Sequence, residues 1–195
     1  MLVVGLTGQI AGGKSTIARV LRQRGYVVYD TDAIARSIIA NDASVQQKII
    51  ALLGNESFIN GEYQKTYVAK KIFRNNPLRL SLNAIVHPAV KTTVETMLHK
   101  VSDFQSVVFI ESALLFEGHL DVLCDKIIEI RAPMFVRYKR LRHRDKDGFF
   151  MTLQKIFSQY NNLPVQNKSN IIIINNDGNR SIDAVAQELL DIINL

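Results

Sequence analysis

The sequence predicts an α/β fold in which about five parallel strands alternate with helices, with a helical subdomain and a helical lid joined to that sheet. Three observations predict it. Short runs rich in Val and Ile recur without polar alternation, as strands buried on both faces of a parallel sheet require. A glycine-rich segment, Gly8-Gln9-Ile10-Ala11-Gly12-Gly13-Lys14-Ser15, stands directly between the first such run and an amphipathic stretch. The interval from Thr31 to Phe104 is mostly helical and too long for one crossover.

Taken in order, Leu2-Val3-Val4-Gly5-Leu6 is the first strand. The segment after it fits G-x-x-x-x-G-K-[ST], in the strand–loop–helix context that gives the pattern its meaning. The helix, Ser15 to Arg24, places Ile17, Val20 and Leu21 on one face. Glycines let such a loop curl so that successive N–H groups converge on an anion, and the helix N-terminus adds its positive dipole end. In this arrangement Lys14 reaches the β- and γ-phosphates and Ser15 ligates Mg²⁺. The chain therefore reads as a P-loop NTPase core that binds a nucleoside triphosphate.

Tyr26–Tyr29 is the second strand, followed by Asp30-Thr31-Asp32. In a parallel sheet the carboxyl ends of the strands share the ligand-binding edge. Two acids there can serve phosphoryl transfer, one orienting or deprotonating an acceptor hydroxyl and the other holding a Mg²⁺-bound water. Asp32 also stands where it could simply N-cap the helix Ala33–Ile39. Val45–Leu53, Gln64–Phe73 and Leu78–Val101 continue the helical interval, with Asn60-Gly61 as a turn and Pro88 ending or kinking the last helix.

Ser106–Ile110 is the third strand, and Glu111 at its end is in place to touch Mg²⁺ through water, as is Asp30. Lys126–Ile130 is the fourth. The basic segment Arg137–Gln159 then reads as two helical pieces broken near Asp147-Gly148, a position that suits a mobile lid. Asn170–Ile174 is the fifth strand, and Asn176-Asp177-Gly178 follows it at the ligand-binding edge, where a turn can face a base.

Composition narrows the function classes. The chain has 195 residues, 47% of them hydrophobic and 22% charged, ordinary values for a globular α/β domain. The one cysteine, Cys124, excludes an internal disulfide and lies in an apolar stretch, as a core thiol would. The N-terminus lacks the basic start of a signal peptide, and no apolar run approaches the ~18 residues that span a bilayer, so a cytoplasmic protein without membrane attachment is expected. The net charge of +6, concentrated in Arg137–Arg144, suits a site that takes two polyanionic ligands better than a nucleic-acid surface. His87, His99, His119 and His143 are not at metal-ligand spacing.

Gly5-Leu6-Thr7-Gly8, Gly13-Lys14-Ser15-Thr16 and Asp30-Thr31-Asp32-Ala33-Ile34-Ala35-Arg36 resemble the opening of dephospho-CoA kinases. So do Leu82-Asn83-Ala84-Ile85-Val86-His87-Pro88, Leu114-Leu115-Phe116-Glu117, Arg140-Leu141 with Arg144-Asp145, Gln159 and Asn176-Asp177-Gly178, in that order along nearly the whole chain. The resemblance implies a P-loop kinase that transfers the γ-phosphoryl group of ATP to the ribose 3′-hydroxyl of dephospho-CoA, with Mg²⁺, in the last step of coenzyme A synthesis. It implies a core over 1–31, 105–136 and 168–195, a helical CoA-binding subdomain over about 32–104 and a lid over about 137–160. It further implies that Asp32, Lys14 and Arg140 carry the chemistry, Asp32 by activating the hydroxyl. Thr7, Gly8, Ala11, Gly12, Gly13, Lys14, Ser15, Thr16, Arg144, Asn176 and Gly178 would hold the nucleotide. Arg36, His87, Leu115 and Glu117 would border the second substrate. No nucleic-acid or membrane partner is expected, and the chain is expected to be a monomer or a weak homo-oligomer.

The sequence departs from that family in places. Ala11-Gly12-Gly13 replaces the usual G-S-G, Lys155 stands where an arginine is usual, Phe149-Phe150 replace charged residues, and Asn161–Lys168 lacks the usual acidic helix. Other readings share the core. A kinase of another small acceptor such as a nucleotide is the nearest. A GTPase would need N-K-x-D after a strand, but Asn167-Lys168-Ser169-Asn170 ends in Asn and precedes one. A nucleic-acid ATPase would need a reader module, and none is recognisable.

Overall fold

The computed structural model describes residues 1–73, 75–101, 105–145 and 171–193. Along the chain run β1 (Leu2–Thr7), α1 (Lys14–Gln23), β2 (Val27–Asp30), α2 (Thr31–Asn41), α3 (Ala43–Leu53), β3 (Phe58–Ile59), β4 (Glu62–Tyr63), α4 (Lys65–Ile72), α5 (Asn76–His99), β5 (Val107–Glu111), β6 (Lys126–Arg131), α6 (Met134–Asp145), β7 (Ile171–Asn175) and α7 (Ile182–Ile193). They fall into two compact units, Met1–Tyr29 with Ser102–Leu195, and Asp30–Val101.

The first unit is built on a five-stranded sheet of order β2-β5-β1-β6-β7. β1 is central and runs parallel to β5 (Val4 opposite Phe109) and to β6 (Leu6 opposite Ile128), and β6 runs parallel to β7. The strands lie where the Val- and Ile-rich runs predict them. All of β5 is buried, which is why these runs lack polar alternation. Val4, Leu6, Phe109, Ile128, Ile130 and Ile174 pack with Ile17 and Leu21 of α1 and Leu189 and Leu190 of α7 in one core. Each such side chain contributes about 1.5–3 kcal/mol by leaving water. Helix α7, not singled out from the sequence, covers the sheet with Val185, Ala186, Leu189, Leu190 and Ile193, spaced on one helical stripe.

The turn out of α1 shows how local chemistry steers the chain into β2. Gly25 takes a left-handed φ of 88°, its N–H donates to the Arg22 carbonyl, and the Tyr26 N–H donates to the Leu21 carbonyl. This pairing closes the helix end and fits glycine because a Cβ would be strained there. Tyr26 then meets Phe109 edge-on, with ring centroids 5.7 Å apart.

The second unit is helical with one small hairpin. Leu82, Val86, Val90 and Val94 form a buried stripe on α5, which α2, α3 and α4 all pack against. Pro88 does not end α5; the helix is continuous from Asn76 to His99. Pro88 sits on the exposed side, and the apolar stripe on the other side holds the helix together across the missing N–H. Asn60 and Gly61 form the expected turn, and both take positive φ, 52° and 80°. That combination suits a two-residue hairpin turn, so the turn joins β3 and β4, which the sequence reading left unassigned. Asp30, not Asp32, caps α2: its Oδ1 accepts from the Ala33 N–H at 2.9 Å. Asp42 caps α3 and Asn75 caps α5 in the same way.

The segment expected to form the lid is described only as far as Asp145, at the end of α6. Asp147-Gly148, Phe149-Phe150, Lys155, Gln159 and Asn161–Lys168 lie outside the described residues. Among the described residues no helix is long and apolar enough to cross a membrane.

Candidate active site

The glycine-rich loop leaves β1 under tight steric control. Gly8 has φ 139°, and a Cβ there would lie 2.2 Å from the Ile130 carbonyl oxygen. Gly13 has φ 108°, and a Cβ there would lie 2.2 Å from Asn176 Nδ2. Only glycine meets both demands at these two positions. Ala11 also takes a left-handed φ, 58°, where an L-residue with a Cβ is strained. The loop closes with the Gly12 N–H donating to the Gln9 carbonyl at 3.0 Å, and α1 starts when the Ile17 N–H reaches the Gly13 carbonyl at 3.0 Å.

The carbonyl groups of this loop are held from outside by basic and amide side chains. Lys14 Nζ donates to the Gly8 carbonyl at 2.6 Å and to the Gln9 carbonyl at 3.2 Å. Arg137 Nε donates to the Ile10 carbonyl at 2.9 Å, and its Nη1 donates to the Gln9 side-chain oxygen. Arg140 Nη1 donates to the Ala11 and Gly12 carbonyls at 3.3 and 3.1 Å. Asn176 Nδ2 donates to the Gly12 carbonyl at 2.9 Å, and its Oδ1 accepts from Arg140 Nη2 at 3.1 Å. Every carbonyl from Gly8 to Gly12 thus has a side-chain donor. With these bonds fixing the peptide planes, the loop's N–H groups and the first turn of α1 form a pre-shaped anion cradle.

Ser15 and Glu111 form the second element of the site. Ser15 Oγ donates to Glu111 Oε1 at 2.6 Å, and Arg22 Nη2 lies 4.0 Å from Glu111 Oε2. Glu111 is buried at the end of β5, while Ser15 is exposed at the start of α1. A hydroxyl and a carboxylate side by side form a hard oxygen donor pair, the type that Mg²⁺ prefers.

Charge in the cradle is tuned by burial. Desolvation lowers the pKa of the Arg140 guanidinium from its usual value, partly countered by the nearby Asp177 carboxylate. Asp177 is itself held below the ordinary carboxylate range, chiefly by the Asn179 backbone N–H that donates to its Oδ1 at 3.0 Å. Gly178, at φ 90°, turns the chain beside Arg140 and Val136. Away from the loop, burial pushes the Cys124 thiol up to about 12, so it stays protonated, and its sulfur packs beside Gly5.

The sequence profile of the dephospho-CoA kinases matches residues 2–181 of this chain. The chain belongs to the dephospho-CoA kinase family. It is 34% identical over 177 residues to the dephospho-CoA kinase of Fusobacterium nucleatum, covering 90% of each protein. It is 32% identical over 192 residues to the Bacillus licheniformis dephospho-CoA kinase, covering 97% of this chain and 96% of the relative. Its fold is similar to the crystal structure of TT1252 from Thermus thermophilus, with a TM-score of 0.80 and 25% identity over 99% of this chain and 96% of the other.

In this dephospho-CoA kinase family member the residues expected at the nucleotide divide into two groups. Lys14, Ser15, Arg140, Asn176 and Gly178 cluster around the loop with Gly8 to Gly13. Thr7 is buried at the end of β1, and Thr16 lies in the first turn of α1 with its N–H donating to the Gly13 carbonyl. Arg144 is exposed on α6, one turn beyond Arg140. Leu115 is fully buried where a Gly5 Cβ would come within 2.9 Å of it, so its side chain supports β1 from beneath; Glu117 is exposed. Asp32 and Arg36 are exposed on α2, and His87 is half-buried on α5. Arg137 and Gln9 were not singled out from the sequence as site residues. The available signal was spacing: Arg137 and Arg140 are three apart and share one face of α6.

Proposed function

We propose that this chain catalyses transfer of the γ-phosphoryl group of ATP to the ribose 3′-hydroxyl of dephospho-CoA, giving CoA and ADP. The observation that carries the reading is the loop whose carbonyls, Gly8 to Gly12, are all taken by side-chain donors, in a chain that matches the kinase family along residues 2–181. The β- and γ-phosphates would rest on the loop N–H groups and the start of α1. Lys14, now on the carbonyls of Gly8 and Gln9, is within its own reach of the same cradle and would follow the charge that develops on the transferring group.

Ser15 and Glu111 would hold Mg²⁺, Ser15 directly and Glu111 through water, with Asp30 as a further water-mediated contact. The ion would neutralise charge on the β- and γ-phosphate oxygens. Asp32 orients the ribose 3′-hydroxyl and accepts its proton as the new O–P bond forms and the bond from the γ-phosphorus to the β-bridging oxygen breaks. Because such transition states are loose, the positioning of that hydroxyl matters more than early proton removal. Arg140 and Arg144, in the last half of α6 and within the expected lid of about 137–160, add positive charge at the phosphates. The helical unit Asp30–Val101 supplies the acceptor side through Arg36 and His87, and Glu117 is assigned to the same substrate by the family resemblance.

The test is ADP release with ATP, Mg²⁺ and dephospho-CoA, run beside adenosine monophosphate and shikimate as comparison acceptors. Turnover confined to dephospho-CoA, with product mass raised by one phosphate, is the expected result. Faster turnover with either comparison acceptor would transfer the reading to a kinase of that acceptor.

A further inference from the structure

We propose that Arg137 is a positioning residue for the nucleotide: it holds the phosphate loop open to the polyphosphate without touching it. The inference rests on the reading of the loop as the ATP site and gives a role of its own to a residue that this reading counts only as one of the carbonyl donors. Arg137 is only 3% exposed, and its guanidinium is bonded on the carbonyl side of the loop, opposite the N–H groups that would take an anion. Its Nε holds the Ile10 carbonyl at 2.9 Å, and its Nη1 holds the side chain of Gln9. Ile10 is the one carbonyl between Gly8 and Gly12 that neither Lys14, Arg140 nor Asn176 takes among the bonds described. Arg137 therefore completes the row.

Two consequences follow from chemistry alone. A carbonyl turned outward by a charged donor leaves the N–H on the same trans peptide plane facing inward, so the Arg137 bond to Ile10 fixes the Ala11 N–H toward the anion. Ala11 is also the residue held at φ 58°, a conformation that an L-residue adopts only when its neighbours fix it. A buried guanidinium beneath the loop also adds positive potential there, in a medium that screens it less than water does. Lysine would keep the charge but lose the planar fork that reaches Ile10 and Gln9 together.

The test compares Arg137→Gln, Arg137→Lys and Gln9→Ala with the wild-type chain. ADP affinity is read by calorimetry, the KM values of ATP and dephospho-CoA by turnover, and folding by thermal melting. Losing one charge-assisted contact predicts about a tenfold rise in the ADP Kd and ATP KM for Arg137→Gln, with the dephospho-CoA KM unchanged. Arg137→Lys is expected between wild type and Arg137→Gln. Gln9→Ala, a change at a half-buried side chain, is expected to weaken ADP in the same direction by a smaller factor, and the double variant to lose less than the product of the two. An ADP Kd equal to wild type in both Arg137→Lys and Gln9→Ala would overturn the proposal, as would equal rises in the KM of both substrates. ADP affinity needs no acceptor, so a wild-type chain that binds ADP but ignores dephospho-CoA would remove the kinase assignment and leave the Arg137 result readable.

Discussion

The phosphate loop and the helical unit are held in different ways. The loop's conformation depends on side chains far away in sequence: Arg137, Arg140 and Asn176 reach back across 127 to 164 residues to hold backbone carbonyls of Ile10 to Gly12. The helical unit is fixed by its own apolar stripes and by local caps, with Asp30, Asp42 and Asn75 each bonding a backbone N–H two or three residues on. Its expected functional residues, Asp32 and Arg36, are exposed on α2. The proposed donor half is pre-shaped at the level of single peptide planes. The proposed acceptor half presents side chains on a helix surface. Changes to the acceptor half should therefore act on turnover alone, while changes to the loop and its braces should act on nucleotide affinity as well.

The largest effect tests the acceptor half. Asp32→Asn keeps the size and the exposed position of the side chain but removes the proton acceptor. Turnover is expected to fall by ~10²–10⁴-fold. ADP affinity should stay at the wild-type value, because the bonds described for the loop are made by Lys14, Arg137, Arg140 and Asn176 and not by Asp32. Wild-type turnover in this variant would take Asp32 out of the mechanism, and a matching loss of ADP affinity would erase the contrast between the two halves.

Lys14→Ala comes next and works on both quantities. It removes the donor to the Gly8 and Gln9 carbonyls and the cation proposed to meet the γ-phosphate, so turnover should drop by ~10²–10³-fold and ADP affinity should weaken measurably. A change in turnover with no change in affinity would show that Lys14 acts only on the transition state and has no part in shaping the loop.

How much of this was legible in the sequence follows the same division. The five strands could be read because buried parallel strands are rich in Val and Ile without polar alternation, as in Val107-Val108-Phe109-Ile110 of β5 and Ile171–Ile174 of β7. The loop could be read because its glycines are required by geometry, not by packing preference. What could not be read was which side chains brace it. Arg137 looks like any member of a basic helix until α6 is folded against the loop, and its burial is the tertiary fact that separates it from the exposed Arg142. Pro88 misled for a related reason: local propensity ends a helix at proline, but the Leu82–Val94 stripe outweighs it. Asp30 and Asp32 differ by two residues, and only the backbone shows that Asp30 is the cap, which frees Asp32 from that duty.

Arg140→Ala probes the brace and the chemistry at once, with a smaller effect than Lys14→Ala. Arg140 holds two loop carbonyls and Asn176, so its loss should weaken ADP by about tenfold, the cost of charge-assisted bonds. If it also meets the phosphates during transfer, kcat falls further than affinity does. Equal losses in both would assign Arg140 to the brace alone. Asn176 supplies the control: Asn176→Asp keeps the acceptor for Arg140 but replaces the donor to Gly12, so it should reproduce only the affinity part of the Arg140 effect.

The smallest effect concerns Ala11. Its φ of 58° lies in the region that glycine occupies freely and alanine does not, and the strain is held in place by the bonds that Arg137 and Arg140 make to the carbonyls of Ile10, Ala11 and Gly12. Ala11→Gly should remove that strain and stabilise the nucleotide-free protein by about 1 kcal/mol, less whatever the freer glycine gains in the unfolded chain. The melting temperature should therefore rise slightly. ADP affinity should change little, because the braces and not the Cβ fix the peptide planes. A fall in melting temperature would mean that the Ala11 Cβ makes a packing contact worth more than the strain. A marked loss of ADP affinity at unchanged stability would mean that the loop's shape depends on the stiffness of Ala11 itself, and the row of side-chain donors would then be a consequence of that shape and not its cause.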